Sequence, residues 1–201
     1  MKVLLVNGSP HKSGCTYTAL AEISSQLEKN GIESEIYHIG TTAISGCIAC
    51  GTCHKTGKCS IDDSVNALAA RLDEFDGFVF GSPVYYAAPN GALISFMDRL
   101  FYSAGSKMHN KPGCAVVSCR RGGASAAFDC LNKYFTISNM PVVPSQYWNQ
   151  VHGSCPEDVK KDLEGMQTMR TLADNLAWLI KCTKGVKTPE REAKVRTNFI
   201  Q

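Results

Sequence analysis

The 201-residue sequence predicts an α/β fold, in which helices cover both faces of a doubly wound, five-stranded parallel sheet. Three observations lead to this prediction. Short continuous apolar runs, such as VLLV at residues 3–6, suit strands that are buried on both faces. Segments with apolar residues at helical spacing lie between these runs. The two kinds of segment alternate along the chain, as they do in βαβ units.

The first half of the chain alternates regularly. After the first strand, Leu20, Ile23 and Leu27 share one face of a helix that ends at Asn30-Gly31, a suitable C-terminal cap. Asp62 or Asp63 can cap the next helix. The predicted elements are strands at 3–6, 33–39 and 77–81 and helices at 16–30, 62–75 and 92–102.

The second half predicts a fourth strand at 114–118 and a helix at 124–137. The proline-flanked segment 141–144 is interpreted as a weak fifth strand, and 156–182 as one long helical stretch. We expect one domain over residues 1–183, with a cysteine-rich loop inserted at 46–61, followed by a basic tail at 184–201.

Composition excludes several classes of partner and location. A net charge of +3 is too small to indicate nucleic-acid binding. No apolar run approaches the ~18 residues of a membrane helix. The first residues also lack the core of a signal peptide, so we expect a reducing cytoplasm, no membrane contact and no structural disulfides.

In doubly wound sheets, ligands bind beyond the carboxyl ends of the strands. The loop after the first strand, GSPHKSGCT, has neither dinucleotide nor Walker A spacing. It does offer the hydroxyls of Ser9, Ser13 and Thr16 next to a helix start, which suits one terminal phosphate. A polar turn that only caps the helix is the alternative.

The loops after the third and fourth predicted strands should leave the same edge of the sheet as the first loop. The third-strand loop, SPVYYAAPNG, places two tyrosines between prolines and can form the platform of a planar ring. The fourth-strand loop, SCRRGG, combines glycines that allow close approach with arginines that favour negative charge. Together the three loops predict a mononucleotide with a planar head, although each alone is typical of ordinary turns.

The sequences of these loops resemble those of a known family. VNGSPHKSGCT, GSPVYYAAPNGALISFMDR and SCRRGG resemble motifs of flavodoxin-like NAD(P)H-dependent FMN reductases, and the cysteine stretch resembles the iron–sulfur flavoprotein branch. The resemblance implies FMN and a homodimer or homotetramer. It implies phosphate contacts from Ser9, His11, Ser13, Gly14, Cys15 and Thr16, ring contacts from Pro83, Val84, Tyr85 and Tyr86, and pyrimidine-side contacts from Ser118, Arg120, Arg121, Gly122 and Gly123.

Four cysteines, Cys47, Cys50, Cys53 and Cys59, follow a C-x2-C-x2-C-x5-C pattern. This compact spacing suits a [4Fe–4S] cluster, whereas zinc usually takes two separated pairs. By resemblance, however, many cluster-free FMN reductases keep a similar stretch. A cluster site, an empty thiol loop and a zinc-braced loop therefore all remain open.

The leading functional hypothesis is an oxidoreductase. A reduced nicotinamide, NADH or NADPH, would pass electrons through FMN to a small-molecule acceptor such as a flavin, a quinone or an azo compound. The alternatives are an iron–sulfur flavoprotein that exchanges electrons with ferredoxin, and a non-enzymatic binding module. No Ser–His–Asp set or carboxylate pair is evident, so the flavin, rather than a protein side chain, is expected to carry the chemistry.

Overall fold

The computed structural model describes residues 1–193 and 195–199. The described strands are β1 (Lys2–Asn7), β2 (Glu33–His38), β3 (Gly77–Tyr85), β4 (Ala88–Pro89), β5 (Gly113–Cys119) and β6 (Gln150–His152). The described α-helices are α1 (Cys15–Lys29), α2 (Thr52–Thr56), α3 (Ser64–Ala69), α4 (Gly91–Ala104), α5 (Ala124–Ile137), α6 (Pro156–Lys161) and α7 (Leu163–Thr183).

The sheet confirms the predicted fold class. Its parallel strands run in the order β2-β1-β3-β5-β6, and β4 adds a short antiparallel pairing to β3. In the register of the central strands, Leu5 lies opposite Ile36 on one side and Val79 on the other. This is the flavodoxin strand order, with its switch point between β1 and β3. The loops that follow these strands therefore leave the same edge of the sheet.

Alternate residues of the buried strands form two separate cores. Val3 and Leu5 of β1 pack with α1 and α7 on one face. Leu4 and Val6 pack with α3, α4 and α5 on the other face. All four side chains are fully buried, which explains why the run has no polar alternation.

The fifth strand was predicted in the wrong place. Residues 141–144 form only one bridge, between Val142 and Gly113, and the strand is instead β6. Pro141 and Pro144 lack the N–H groups that a ladder needs. The buried side chain of Asn149 donates to the carbonyl of Ala115 at 3.1 Å and so anchors the chain where β6 begins.

Two predicted helices were too long, and one strand too short. The helix predicted at 62–75 ends at Ala69, and a 3₁₀ turn follows at Leu72–Glu74. The stretch 156–182 is broken at Asp162, whose ψ of 81° is not helical. Its carboxylate accepts from Gly165 N at 2.9 Å and so caps α7. β3 extends beyond the prediction to Tyr85 because it continues into a hairpin with β4.

The described part of the tail leaves α7 and runs past the amino edge of the sheet. Arg191 Nη1 lies 2.6 Å from His109 Nδ1. Lys194, Ile200 and Gln201 of the predicted tail lie outside the described residues. None of the helices in the described chain has the length and apolar character needed to span a membrane.

A charge cluster on β2 predicts acid sensitivity. Arg71 donates two hydrogen bonds of 2.8 Å to Glu35, and Lys2 Nζ donates a third at 2.8 Å. The bonds from Arg71, and then that from Lys2, lower the pKa of Glu35 to about 2. Because this value is below the ordinary ~4.3, the stabilisation is complete above that pH and is lost as the pH falls towards 2.

We therefore expect Glu35→Gln to reduce the dependence of the free energy of unfolding on pH between about 4 and 2. Urea denaturation at several pH values measures this dependence. Glu33→Gln, on the same strand but exposed, is the matched control and should behave like the unmodified chain. Equal pH dependence in both variants would contradict the assignment to Glu35.

Candidate functional site

The loop after β1 is held tightly against the middle of β3 and the start of α4. Gly8 N donates to the carbonyl of Gly81 at 2.8 Å, and Asn90 Nδ2 donates to the carbonyl of Gly8 at 2.6 Å. A Cβ atom on Gly8 would stand 2.6 Å from Leu93 Cδ2 and 2.8 Å from the Gly81 oxygen. Only glycine fits at this position, so the first loop is fixed to β3 by backbone contact and to the start of α4 by the side chain of Asn90.

Asn7, the last residue of β1, shapes this loop from inside. Its Oδ1 accepts from Ser9 N at 3.1 Å, and its Nδ2 donates to the carbonyls of His11 and Lys12 at 3.4 and 3.3 Å. Ser9 is buried, and its Oγ accepts from His11 N. His38 Nε2 lies 2.8 Å from the Ser9 carbonyl. The sequence alone did not single out Asn7 or His38, because each is the last residue of a strand rather than part of the loop that it contacts.

The start of α1 is open to an anion. The helix begins after Gly14, which is extended, and no side chain caps it. By contrast, Asp63, Asn90 and Asp162 accept backbone N–H groups at the starts of α3, α4 and α7. The N–H groups of the first turn of α1 thus have no side-chain acceptor, and the exposed Ser13 lies just before them. This is the arrangement in which helix N-termini bind phosphate.

Thr16 and Cys15 each contact a different loop. Thr16 Oγ1 and Ser118 Oγ are both buried and lie 2.8 Å apart, which joins the first loop to the end of β5. The Thr16 hydroxyl is thus already hydrogen-bonded within the protein, and the Thr16 backbone N–H lies in the first turn of α1. Cys15 Sγ donates to the Gly153 carbonyl at 3.7 Å, and burial, followed by the nearby Cys155, raises its pKa. The loop after β6, which contains Gly153 and Cys155, was not predicted as part of the site because the fifth strand had been predicted at 141–144.

The predicted ring platform is a strained hairpin. Val84 pairs with Pro89 and Tyr85 with Ala88, which leaves Tyr86 and Ala87 in the turn. These two turn residues have φ values of 50° and 61°, in the left-handed region that suits glycine or asparagine. Tyr86 is fully exposed, and Tyr85 is 44% exposed. Strain of this kind often marks a functional site.

The Arg-Gly-Gly loop touches this hairpin directly. Gly123 has a φ of +87°, and a Cβ there would stand 2.8 Å from Ala87 Cα and 3.2 Å from Val84 Cγ1. Arg120 and Arg121 are exposed, and neither forms an ion pair with a described residue. The structure thus brings the three predicted loops together at one edge of the sheet.

A cavity on another part of the described chain does not coincide with this edge. It measures about 780 Å³, lies towards the amino edge, and is bordered by Pro112, Met140, Ile180 and Val186. It lacks the open helix start and the glycine loops of the carboxyl edge. The candidate nucleotide site is therefore the carboxyl edge, where the open start of α1 lies near the hairpin and the Arg-Gly-Gly loop.

The cysteine-rich loop forms a second candidate site. Cys47, Cys50, Cys53 and Cys59 all border one small cavity of about 20 Å³, together with Arg99 and other residues. Cys47 and Cys50 are exposed. The short helix α2 carries Cys53. A bound group would therefore be held at the surface of the loop rather than enclosed.

Four cysteine thiols on one loop are donors of the kind that iron–sulfur clusters take. Within residues 1–193 and 195–199, no three His, Cys, Asp or Glu side chains are gathered closely enough to bind one metal ion. A cubane cluster binds each cysteine through a different iron, so its ligands stand further apart. Hydrogen bonding to Ser60, and then to Thr52, lowers the pKa of Cys50 to about 7. This favours the thiolate form that binds metals.

Comparisons with known proteins find similarity over most of the chain. The family model for NADPH-dependent FMN reductase matches residues 1–153. An iron–sulfur flavoprotein of Methanocaldococcus jannaschii is 32% identical over 192 residues, covering 92% of this chain and 100% of the relative. An iron–sulfur flavoprotein of Archaeoglobus fulgidus is 28% identical over 201 residues, covering 93% and 99% respectively.

Solved structures show the same fold at low identity. RosB, solved with a bound 8-demethyl-8-formylriboflavin 5'-phosphate intermediate, superposes with a TM-score of 0.75 at 14% identity, covering 99% of this chain and 92% of RosB. A flavodoxin from the domain Archaea superposes with a TM-score of 0.62 at 16% identity, covering 90% and 99% respectively.

The hairpin strain predicts a stabilising substitution. We expect Ala87→Gly to raise the free energy of unfolding by about 1 kcal/mol, because glycine adopts positive φ without steric cost. Ala88→Gly, in the paired strand β4, is the matched control and should lower it slightly. Chemical denaturation of both variants measures the difference. A loss of stability in Ala87→Gly would show that the turn is not strained.

Proposed function

Because the chain belongs to the NADPH-dependent FMN reductase family, in its iron–sulfur flavoprotein branch, we propose that it is an FMN-dependent oxidoreductase that exchanges electrons through its four-cysteine loop. The observation that carries the proposal is the direct contact among the three loops at the carboxyl edge of the sheet. The family match and the flavodoxin-like neighbours support FMN as the cofactor.

The residues at this edge fit FMN. The uncapped start of α1, with Ser13 and Gly14, would bind the phosphate. The hairpin at Tyr85 and Tyr86 would border the ring, and Gly122 and Gly123 would lie against it. FMN, when bound, accepts a hydride and releases electrons singly or in pairs. Since the chain has no dinucleotide fingerprint, NADH or NADPH would dock transiently over the exposed side of the site.

Arg120 and Arg121 bring positive charge to the same loop, and neither is ion-paired with a residue that the structure describes. We propose that at least one of them stabilises negative charge on the reduced ring. Ser118 and Thr16 hold the loops together through their buried hydroxyl pair. Their role would be to fix the distance between the phosphate and ring contacts.

The cysteine loop would hold a [4Fe–4S] cluster on Cys47, Cys50, Cys53 and Cys59. The shared cavity and the names of the full-length relatives favour this over an empty thiol loop. A cluster supplies one-electron transfer. The proposed partners are therefore a ferredoxin-like carrier at the cysteine loop, and a small acceptor such as a flavin, quinone or azo compound at the ring.

We further propose a homodimer or homotetramer in a reducing cytoplasm. Tyr86, Tyr147 and Trp148 are exposed aromatic side chains, and the rings of Tyr147 and Trp148 lie 5.1 Å apart. Exposed aromatic residues of this kind are enriched at protein interfaces. All ten cysteines are free, which suits a compartment that keeps thiols reduced.

The phosphate site predicts one FMN per chain, with affinity that depends on Ser13. Ser13→Ala should weaken FMN binding by about 1–2 kcal/mol, or roughly 5- to 30-fold, because a phosphate oxygen loses a charge-assisted donor. Fluorescence titration of the apoprotein measures this loss. Ser138→Ala, at the far end of α5, is the control and should bind FMN normally. Recovery of FAD, or of no flavin, from denatured protein would refute the site.

The cluster predicts about four irons and four acid-labile sulfides per chain in anaerobically prepared protein. Cys53→Ser should remove most of the iron while FMN stays, because the flavin loops lie elsewhere in the chain. Cys130→Ser, in α5 outside the loop, is the matched control and should keep both. Fewer than about one iron in the unmodified protein would leave a plain NAD(P)H-dependent FMN reductase, which NADPH oxidation with added flavin or quinone would then identify.

A further inference from the structure

The guanidinium of Arg99, on α4, is buried next to the cysteine loop. The residue is 1% exposed, and its side chain is among the largest that are fully buried in the described part of the chain. Burying a charge is costly unless every polar atom finds a partner. Arg99 meets this requirement through side chains and carbonyls that all lie on, or next to, the cysteine loop.

Each N–H of the guanidinium has an acceptor. Nη1 and Nη2 donate to the two carboxylate oxygens of Asp63 at 2.7 and 2.8 Å. Nη1 also donates to the Ser45 carbonyl at 3.3 Å, and Nη2 to the Ile61 carbonyl at 2.8 Å. The remaining donor, Nε, points to Cys59 Sγ at 3.3 Å. An arginine has five N–H groups, and all are used.

These partners lie on both sides of the four cysteines. Ser45 precedes Cys47, whereas Ile61 and Asp63 follow Cys59. Arg99 therefore closes the base of the loop by joining its two ends. Asn66 adds a second clamp, since its side chain accepts from Cys59 N at 3.1 Å and donates to the Cys59 carbonyl at 3.0 Å. The position of Cys59 is thus fixed by protein contacts alone.

The bond to Cys59 Sγ also has an electrostatic consequence. Among the four sulfurs, Cys59 alone receives a hydrogen bond from a charged donor within the described chain, whereas Cys50 Sγ lies 3.3 Å from the Ser60 hydroxyl. Hydrogen bonds and charge at ligand sulfurs tune the potential of iron–sulfur clusters. A buried cation beside one sulfur stabilises the extra electron of the reduced state.

We propose that Arg99 is a positioning residue of the four-cysteine site, which orients Cys59 and raises the reduction potential of the group bound there. The proposal rests on the iron–sulfur part of the proposed function. Asp63 partly offsets the charge of Arg99, so the two residues act on the potential in opposite directions. If the ion pair between Arg99 and Asp63 had only a structural role, removing either charge would not shift the reduction potential in opposite directions.

The test uses anaerobically prepared holoprotein and measures the cluster potential by a redox titration followed by EPR. Arg99→Gln, which loses the charge and the N–H···S bond, should shift the potential to more negative values. Asp63→Asn should shift it to more positive values, because it leaves the guanidinium unneutralised. Asparagine can still cap α3, where Asp63 accepts from Val65 N at 3.0 Å.

Glu74→Gln is the matched control, because it disrupts another arginine pair, that with Arg71, away from the cysteines. The reduction potential of the cluster in this variant should equal that in the unmodified protein. FMN content and thermal unfolding of each variant report on the fold. If Arg99→Gln does not fold, the direction of the shift in Asp63→Asn decides the question alone.

Unchanged potentials in the variants that keep their iron would overturn the role of Arg99 while leaving the cluster in place. Shifts of the same sign in Arg99→Gln and Asp63→Asn would also overturn it. Absence of iron and sulfide from the unmodified protein is a different outcome. It would refute the cluster itself, and with it the premise of this inference.

Discussion

The backbone contact between Gly8 and Gly81 is the constraint on which the nucleotide site depends. It joins the end of β1 to the middle of β3 at the switch point of the sheet, where no side chain would fit. Asn90 then ties α4 to the same glycine, and the hydroxyl pair of Thr16 and Ser118 links α1 to β5. Loops from three strands thus meet with little freedom, which is the preorganisation that a binding site requires.

The central elements of the fold could be predicted from sequence because their signals are local. Buried runs such as 3–6 and 114–118 have no polar interruption, and α1 and α5 begin and end within one residue of their predicted limits. The edge strand could not be located in this way. β6 is three residues long, and its position depends on Asn149 reaching across to the neighbouring strand. Such a contact leaves no periodic signal in the sequence.

The same distinction applies to the candidate sites. The candidate phosphate loop and aromatic loop were predicted from their residue types and their places after strands, and the cysteine site from its spacing, since each is a continuous stretch. The residues that hold these stretches in place are distant in sequence. Asn7 shapes the first loop from the end of a strand, and Arg99 reaches the cysteine loop from a helix about forty residues further along. The hydrophobic pattern of α4 gave no reason to expect a buried charge at that position.

The clamp around Cys59 bears on how the protein matures. In a zinc finger the metal supplies the free energy of folding, so the apoprotein is unfolded. Here Arg99 and Asn66 hold the base of the loop through oxygen, nitrogen and sulfur atoms of the chain itself. Folding and flavin loading therefore need not wait for iron. Loss of a bound cluster would then leave the base of the loop held by the same contacts, with the four thiols still carried on a folded chain.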